Sequence, residues 1–216
     1  MGPFTRMLTA ALFAFTALTV TGETDILVNG GFESTTTGFS GGLIPAGWTL
    51  SKSFDTLSQA PLTLDSAGCI GLDSSSVHSG SYCLKMSMLR SNPDTNMYHG
   101  WEVKAVRNLP PAAFTNGATF TVNGFTKCNM PADTAWGVQI ALFTFNSAWH
   151  GSWNDAYHGS GVSDWTAFSG PVTITDTGSC IMAMLIVLQH GIGDLWVDGL
   201  EVLAPTARIG GHGAAA

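Results

Sequence analysis

The stretch Ala118-Thr119-Phe120-Thr121-Val122-Asn123-Gly124-Phe125-Thr126-Lys127 sets Phe120 and Val122 between Thr119, Thr121 and Asn123. A period of two places alternate side chains on opposite faces, which is the pattern of a strand with one face in a core and one in water. Other short runs repeat this signature on either side. Ile26–Val28, Ser81–Met88, Trp101–Val106 and Thr166–Thr175 read as strands. Trp136–Phe145 and Cys180–Gln189 are strongly apolar and read as central strands, and Leu195–Leu203 as the last. They are separated by Gly, Pro, Asn, Asp and Ser, and no helical period appears after the leader. About eight strands at such spacings predict an all-β sandwich of two antiparallel sheets. Thr35–Ser76 is looser, with many Gly and Ser and few clear strands.

Composition narrows the class. Of 216 residues only 11% are charged, against roughly 25% in an ordinary globular chain. The surface is therefore carried by Ser, Thr, Asn and Gly, which suits a turn-rich exported domain. A formal net charge of −7 with only eight Lys and Arg excludes the clustered basic patch that nucleic-acid binding needs. Arg6 precedes a short apolar run from Met7 to Val20 that ends in small residues, the pattern of a signal peptide over residues 1–22. The run is too short for a confident membrane span. The folded domain is expected over 23–204, with a Gly- and Ala-rich flexible tail over 205–216. The expected location is secreted or cell-surface, either alone or as one part of a multimodular protein.

Four cysteines, Cys69, Cys83, Cys128 and Cys180, suggest disulfides in an exported chain and allow three pairings. Cys69 with Cys83, closing a short loop, and Cys128 with Cys180 are the expected pairs; free buried thiols are the alternative. No C-x-x-C pair suggests zinc.

Three segments carry a family resemblance. The first is Asn29-Gly30-Gly31-Phe32-Glu33 followed by Pro45-Ala46-Gly47-Trp48. The second is His78-Ser79-Gly80-Ser81-Tyr82-Cys83-Leu84-Lys85, and the third is Gly193-Asp194-Leu195-Trp196-Val197-Asp198-Gly199-Leu200-Glu201-Val202. In this order they resemble the carbohydrate-binding modules of the family four, nine and twenty-two group, over roughly Ile26–Leu203. The resemblance implies a galactose-binding-domain-like jelly roll, a polysaccharide or oligosaccharide partner, and a structural calcium. The positions that carry over for calcium are Glu33, Asp198 and backbone oxygens near Gly30 and Gly80. The residues have their own reading beside it. Asn29-Gly30-Gly31 is a tight turn that relies on glycine, with Phe32 in the core below. Trp196, Asp198, Leu200 and Val202 share one face of the last strand by alternation. Asp198 either helps hold calcium or hydrogen-bonds the first turn.

Sugars are bound by flat aromatic stacking with amide and carboxylate groups at the rim. Of seven tryptophans, Trp48 and Trp196 belong to the family's core motifs and are assigned to structure. Asn146–Gly159 reads as a loop carrying Trp149, His150, Trp153, Tyr157 and His158, and exposed aromatics in loops usually bind something. Trp149, Trp153 and Tyr157 are the expected stacking residues, unless the loop folds over the sandwich edge and buries them. His150 is a hydrogen-bonding candidate. Gln139 and Gln189 interrupt apolar strands and, with Glu102 and Lys104, are candidates for a polar concave sheet face with Trp101 at its edge. A glutamine bonded to a neighbouring strand would give the same pattern. No paired-carboxylate hydrolase motif and no G-x-S-x-G elbow is present. The expected function is non-catalytic glycan binding. The alternatives are a structural or adhesion domain and a glycan-active enzyme using His150, Asp155 and His158.

Overall fold

A computed structural model describes residues 23–38, 43–53, 68–89, 102–110, 117–130, 137–145, 151–175, 181–189 and 192–205. The expected leader, the tail beyond 205, Trp101, Trp136, Trp149, His150 and Cys180 lie outside the described residues. Every strand pair is antiparallel. One sheet contains β5 (Gly68–Asp73), β6 (Cys83–Met88), β8 (Thr119–Met130), β11 (Gly161–Thr173) and β13 (Gly193–Ala204), in the order β11-β8-β13-β6-β5, with β1 (Thr24–Asp25) also on β13. The other contains β4 (Thr49–Ser53), β7 (Glu102–Asn108), β9 (Val138–Phe145), β10 (Gly151–Gly159) and β12 (Ile181–Gln189), in the order β10-β9-β12-β7-β4. A small pair, β2 (Thr35–Thr37) with β3 (Leu43–Pro45), stands apart. Among the described residues no helix is long and apolar enough to cross a membrane.

The core lies between the two large sheets. On β8 the alternation puts Phe120, Val122, Cys128 and Met130 inward. They meet Val138, Ile140 and Leu142 from β9 and Met182, Met184, Ile186 and Leu188 from β12. Met86 and Met88 join them, so unbranched thioethers fill much of the space between branched side chains. The all-β sandwich expected from alternation is the observed architecture.

Several local expectations are corrected. The loose Thr35–Ser76 segment contributes strands β2 to β5. The stretch expected as an aromatic loop is strand β10 from Gly151 onward, paired along β9. In the first turn the left-handed residues are Asn29 (φ 63°) and Phe32 (φ 59°), not the glycines. Gly30 is required for a different reason: a Cβ there would lie 1.9 Å from the Leu200 carbonyl oxygen. On β13 a bulge between Asp198 and Glu201, with Gly199 at φ 56°, breaks the alternation. Trp196 and Asp198 therefore face away from the core, while Leu200 and Val202 belong to it.

The expected Cys69–Cys83 disulfide is not formed, and the expected Cys128–Cys180 pair falls on a residue outside the described ones. On the β5–β6 ladder Cys69 stands opposite Ser87, and Cys83 opposite Asp73. The two cysteines are thus four residues apart along the ladder, about 14 Å at 3.4 Å per residue, whereas a disulfide needs Cα atoms within about 7 Å. Cys128 is a buried free thiol.

Candidate functional site

The five-stranded sheet turns its second face away from the core, and the register sets out what stands on it. Trp153 on β10 is opposite Phe143 on β9, which is opposite Ala183 on β12. Further along the strands His158 is opposite Gln139, Gln139 opposite Val187, and Val187 opposite Lys104. The last row pairs Gln189 with Glu102. Strand alternation alone thus brings Gln139, Gln189, Glu102 and Lys104 together, and the side chains meet as the register requires. The Gln189 amide donates to Gln139 Oε1 at 2.8 Å, and the Lys104 ammonium donates to Glu102 Oε1 at 2.5 Å.

The two ends of this face differ. Near the β9 C-terminus Trp153, 47% exposed, meets Phe143 edge-on at 5.4 Å, and Phe143 stacks on Phe145 at 5.6 Å. Exposed Ile181 lies opposite Phe145. The other end is polar, with Gln189, Glu102 and Lys104 partly exposed. Gln139 itself is buried at 6% exposure, so it presents and orients Gln189 rather than reaching solvent.

β10 carries a further irregularity. Between Asp155 and Tyr157 the register shifts by one residue, leaving Ala156 as the extra residue of a bulge. Asp155 and His158 consequently share the outer face, with His158 Nε2 3.0 Å from Asp155 Oδ2. Tyr157 is turned the other way. It packs on Phe168 at 4.8 Å, its hydroxyl accepts from Thr126 at 3.1 Å, and it lies against the core. Burial pushes its hydroxyl above the ordinary tyrosine range. Tyr157 closes the edge of the sandwich and is not placed to stack a sugar. Trp149, His150 and Trp101 lie outside the described residues.

Glu33, Asp198, Gly30 and Gly80 form a clamp on the loop before β6. Asp198 is fully buried. Its Oδ2 accepts from the His78 amide at 3.1 Å and from the Ser79 amide and hydroxyl at 2.9 and 3.4 Å, and its Oδ1 accepts from the Gly199 amide at 2.7 Å. Glu33 Oε1 accepts from the Ser81 and Tyr82 amides at 2.9 and 3.0 Å. Gly80 (φ 68°) lets the loop pass the Glu33 carboxylate, which a Cβ would meet at 2.3 Å. The Gly30 carbonyl accepts from the Leu200 amide at 3.1 Å. Calcium requires six to eight oxygen ligands. Here Asp198 Oδ1 and Oδ2, Glu33 Oε1 and the Gly30 carbonyl face N–H donors, and among the described residues no three His, Cys, Asp or Glu side chains converge. This donor set fits an amide clamp and does not fit a calcium cage.

Trp196, assigned to the core from its motif, instead lies on the outer face of the six-stranded sheet. Its indole donates to Asp73 Oδ2 at 2.8 Å, and the Lys85 and Lys127 ammonium groups sit 4.8 and 5.7 Å from its ring. Trp48 is buried as expected, against Phe32 at 5.2 Å. Sequence reasoning missed a ring cluster made by His78, Phe125 and Trp165 on the outer face of the six-stranded sheet. A signal for it was present: Phe125 is the aromatic exception among the outward residues Thr119, Thr121, Asn123 and Lys127 of β8.

No protein-family model matches the chain, and no curated protein matches it. Solved structures do share its shape. A Family 16 carbohydrate-binding module is 12% identical with a TM-score of 0.51, covering 82% of this chain and 99% of that one. A Stig cyclase from Fischerella sp. TAU, solved with an indole derivative, is 12% identical with a TM-score of 0.54, covering 86% and 100%. The enzymatically active domain of a tailspike protein from bacteriophage CBA120 is 8% identical with a TM-score of 0.53; the match covers 83% of this chain but only 21% of that one. A CBM22-1–CBM22-2 tandem domain from Paenibacillus barcinonensis Xyn10C is 11% identical with a TM-score of 0.54, covering 92% of this chain and 50% of that one. The chain shares the β-sandwich fold of these structures, a fold that serves binding modules and enzymes alike.

Proposed function

We propose that this chain is an exported module that binds a polysaccharide or oligosaccharide without cleaving it, on the outer face of the five-stranded sheet. The observation that carries the reading is the grouping of Gln139, Gln189, Glu102 and Lys104 on one face, with half-exposed Trp153 at its other end. Trp153 offers a ring edge and face for stacking, and Gln189, Glu102, Lys104 and His158 offer donors and acceptors for hydroxyls. Trp149, His150 and Trp101 belong to the same proposal as further contacts. The carboxylates on this face argue against hydrolysis. Asp155 and Glu102 stand three strands apart, about 14 Å at 4.8 Å per strand, whereas glycosidases hold their pair within about 5 to 10 Å. Each is also engaged by a basic side chain.

Affinity electrophoresis against soluble β-glucan, xylan and mannan tests the reading. One polysaccharide is expected to retard the protein, and Trp153→Ala to weaken retention about tenfold, equivalent to about 1.4 kcal/mol. Gln189→Ala is expected to weaken it less. Release of reducing ends from the retarding polysaccharide would replace binding by catalysis, and an absence of retardation in all three gels would remove the proposal.

A further inference from the structure

On the opposite side of the molecule three rings from three separate elements meet without a core to fill. Phe125 projects outward from β8. His78, from the loop before β6, stacks on it with ring centroids 3.6 Å apart and planes 17° apart. Trp165, from the bulge of β11 between Ser163 and Thr166, meets His78 at 5.6 Å and 63°. His78 is exposed, and Phe125 and Trp165 are half-buried. The result is an aromatic corner of two tilted surfaces, open to water.

The corner is fixed by polar bonds rather than by packing. Asp198 holds the His78 and Ser79 amides from beneath. The Trp165 amide donates to Asp164 Oδ1 at 2.9 Å, and the Thr166 hydroxyl donates to the Asp164 carbonyl at 2.9 Å. Gly199 leaves room for the Phe125 ring, since a Cβ there would come within 3.3 Å of it. Polar groups rim the rings: exposed Asp164 and the Lys127 ammonium 3.4 Å from it, and the exposed Ser79. Rings held in place with donors and acceptors around them are the composition of a ligand site.

We infer that the His78–Phe125–Trp165 corner is a second glycan-binding site, taking a sugar ring of a neutral polysaccharide by stacking on Trp165 and His78. Neutrality follows from the rim, where Lys127 is already opposed by Asp164 and offers no unbalanced cation for an acidic sugar. A second copy of the chain fits less well. A stable protein interface needs about 800 Å² per partner, and three tilted rings ringed by charged side chains do not supply a flat apolar patch. The site lies on the sheet opposite Trp153, so it extends the proposed function and is testable apart from it.

The test is calorimetric titration of the full chain with the hexaose of whichever polysaccharide retards it, or with β-glucan, xylan and mannan hexaoses if none does. It is run on wild type, Trp165→Ala, His78→Ala, Trp153→Ala and the double variant Trp153→Ala/Trp165→Ala. His78→Ala keeps the backbone amide that Asp198 holds, so it serves if Trp165→Ala is poorly folded. The expected result is two sites per wild-type chain, one in each single variant, and none in Trp153→Ala/Trp165→Ala. A single wild-type site that vanishes in Trp153→Ala and is untouched in His78→Ala overturns the inference and leaves the proposed function standing. A single site lost in Trp165→Ala and His78→Ala but kept in Trp153→Ala supports the corner and removes the other face. No heat from any hexaose overturns both. A sedimentation dimer that Trp165→Ala converts to monomer, with glycan binding unchanged, overturns the inference in favour of self-association.

Discussion

The two outward faces of the sandwich are assembled differently. On the five-stranded sheet, uninterrupted alternation along β7, β9 and β12 delivers Lys104, Gln139 and Gln189 to one side, and they are bonded to neighbours on that same face. On the six-stranded sheet the arrangement depends on exceptions: a bulge at Gly199, another before Thr166, a left-handed Gly80, and a buried carboxylate reaching back some 120 positions to His78. The first face is a consequence of periodicity and tolerates change one residue at a time. The second is a consequence of tertiary closure and rests on a few irreplaceable groups.

The sharpest way to break that contrast is Asp198→Ala. It removes the buried acceptor of the part-buried His78, Ser79 and Gly199 amides, and each lost hydrogen bond to a charged group costs about 1.5–3 kcal/mol. A loss of at least about 3 kcal/mol in urea unfolding is expected, against about 1 kcal/mol for Gln139→Ala, which removes one side-chain hydrogen bond. Equal losses would erase the distinction between the faces. Chelator should leave the wild-type midpoint unchanged, because amides rather than an ion satisfy the carboxylate. Next in size is Gly30→Ala. Its Cβ collides with a backbone carbonyl that a rotamer change cannot relieve, so about 1–3 kcal/mol of overpacking strain is expected in the same assay.

The thiols give a smaller effect that sharpens the comparison. Burial pushes the Cys83 thiol up to about 12, with the Asp73 and Asp198 carboxylates adding to it. A raised folded value means the protonated thiol is favoured by folding. Its contribution is complete below the unfolded value near 9 and is lost as pH rises from there through about 12. Near pH 8 a disulfide-exchange reagent should therefore label Cys69 in the native protein and leave Cys83 and Cys128 unlabelled until denaturant is added. Rapid native labelling of Cys83 would show that the clamp loop opens.

The smallest effect concerns Asp73. Burial raises its carboxyl, but hydrogen bonds from the Ser75 hydroxyl and amide and from the Trp196 indole, with Lys85 nearby, outweigh this and hold it below the ordinary value. A depressed folded value contributes stability above the unfolded carboxylate range, near pH 4, and loses it as pH falls through the folded value. Asp73→Asn is expected to flatten the acid limb of the thermal-stability profile slightly, with the Trp196 fluorescence change shifted in parallel. An unchanged limb would separate Trp196 from Asp73 ionisation.

How legible each region was follows from the same contrast. Gln139 and Gln189 stood out because they break apolar runs, but the sequence left open whether they lined a face or bonded across strands; the register puts them on one face, bonded to each other. β10 was hidden because Gly151, Ser152 and Asn154 carry little strand preference; cross-strand pairing with β9, a non-local effect, makes it a strand. Tyr157 was read as an exposed loop aromatic; within strand β10 the one-residue bulge turns it toward the core instead. The Cys69–Cys83 expectation failed for lack of register, since nearness along the chain does not make cysteines face one another. Asp198 was marked as needing partners, but nothing local could say that the partners were the His78 and Ser79 amides.

The placement of β13 carries one more consequence. It is the last strand in sequence and pairs with β6, β8 and β1, so without it β11-β8 and β6-β5 are two separate ribbons with unsatisfied edges. Three of the five strand pairings described in that sheet need residues 193–204, and closing such distant contacts is the slow step in β-rich folding. During synthesis the nascent chain is therefore held back from its native state until residues 193–204 are available. The unpaired edges of β6 and β8 are then the place where a holding chaperone, or aggregation, acts first.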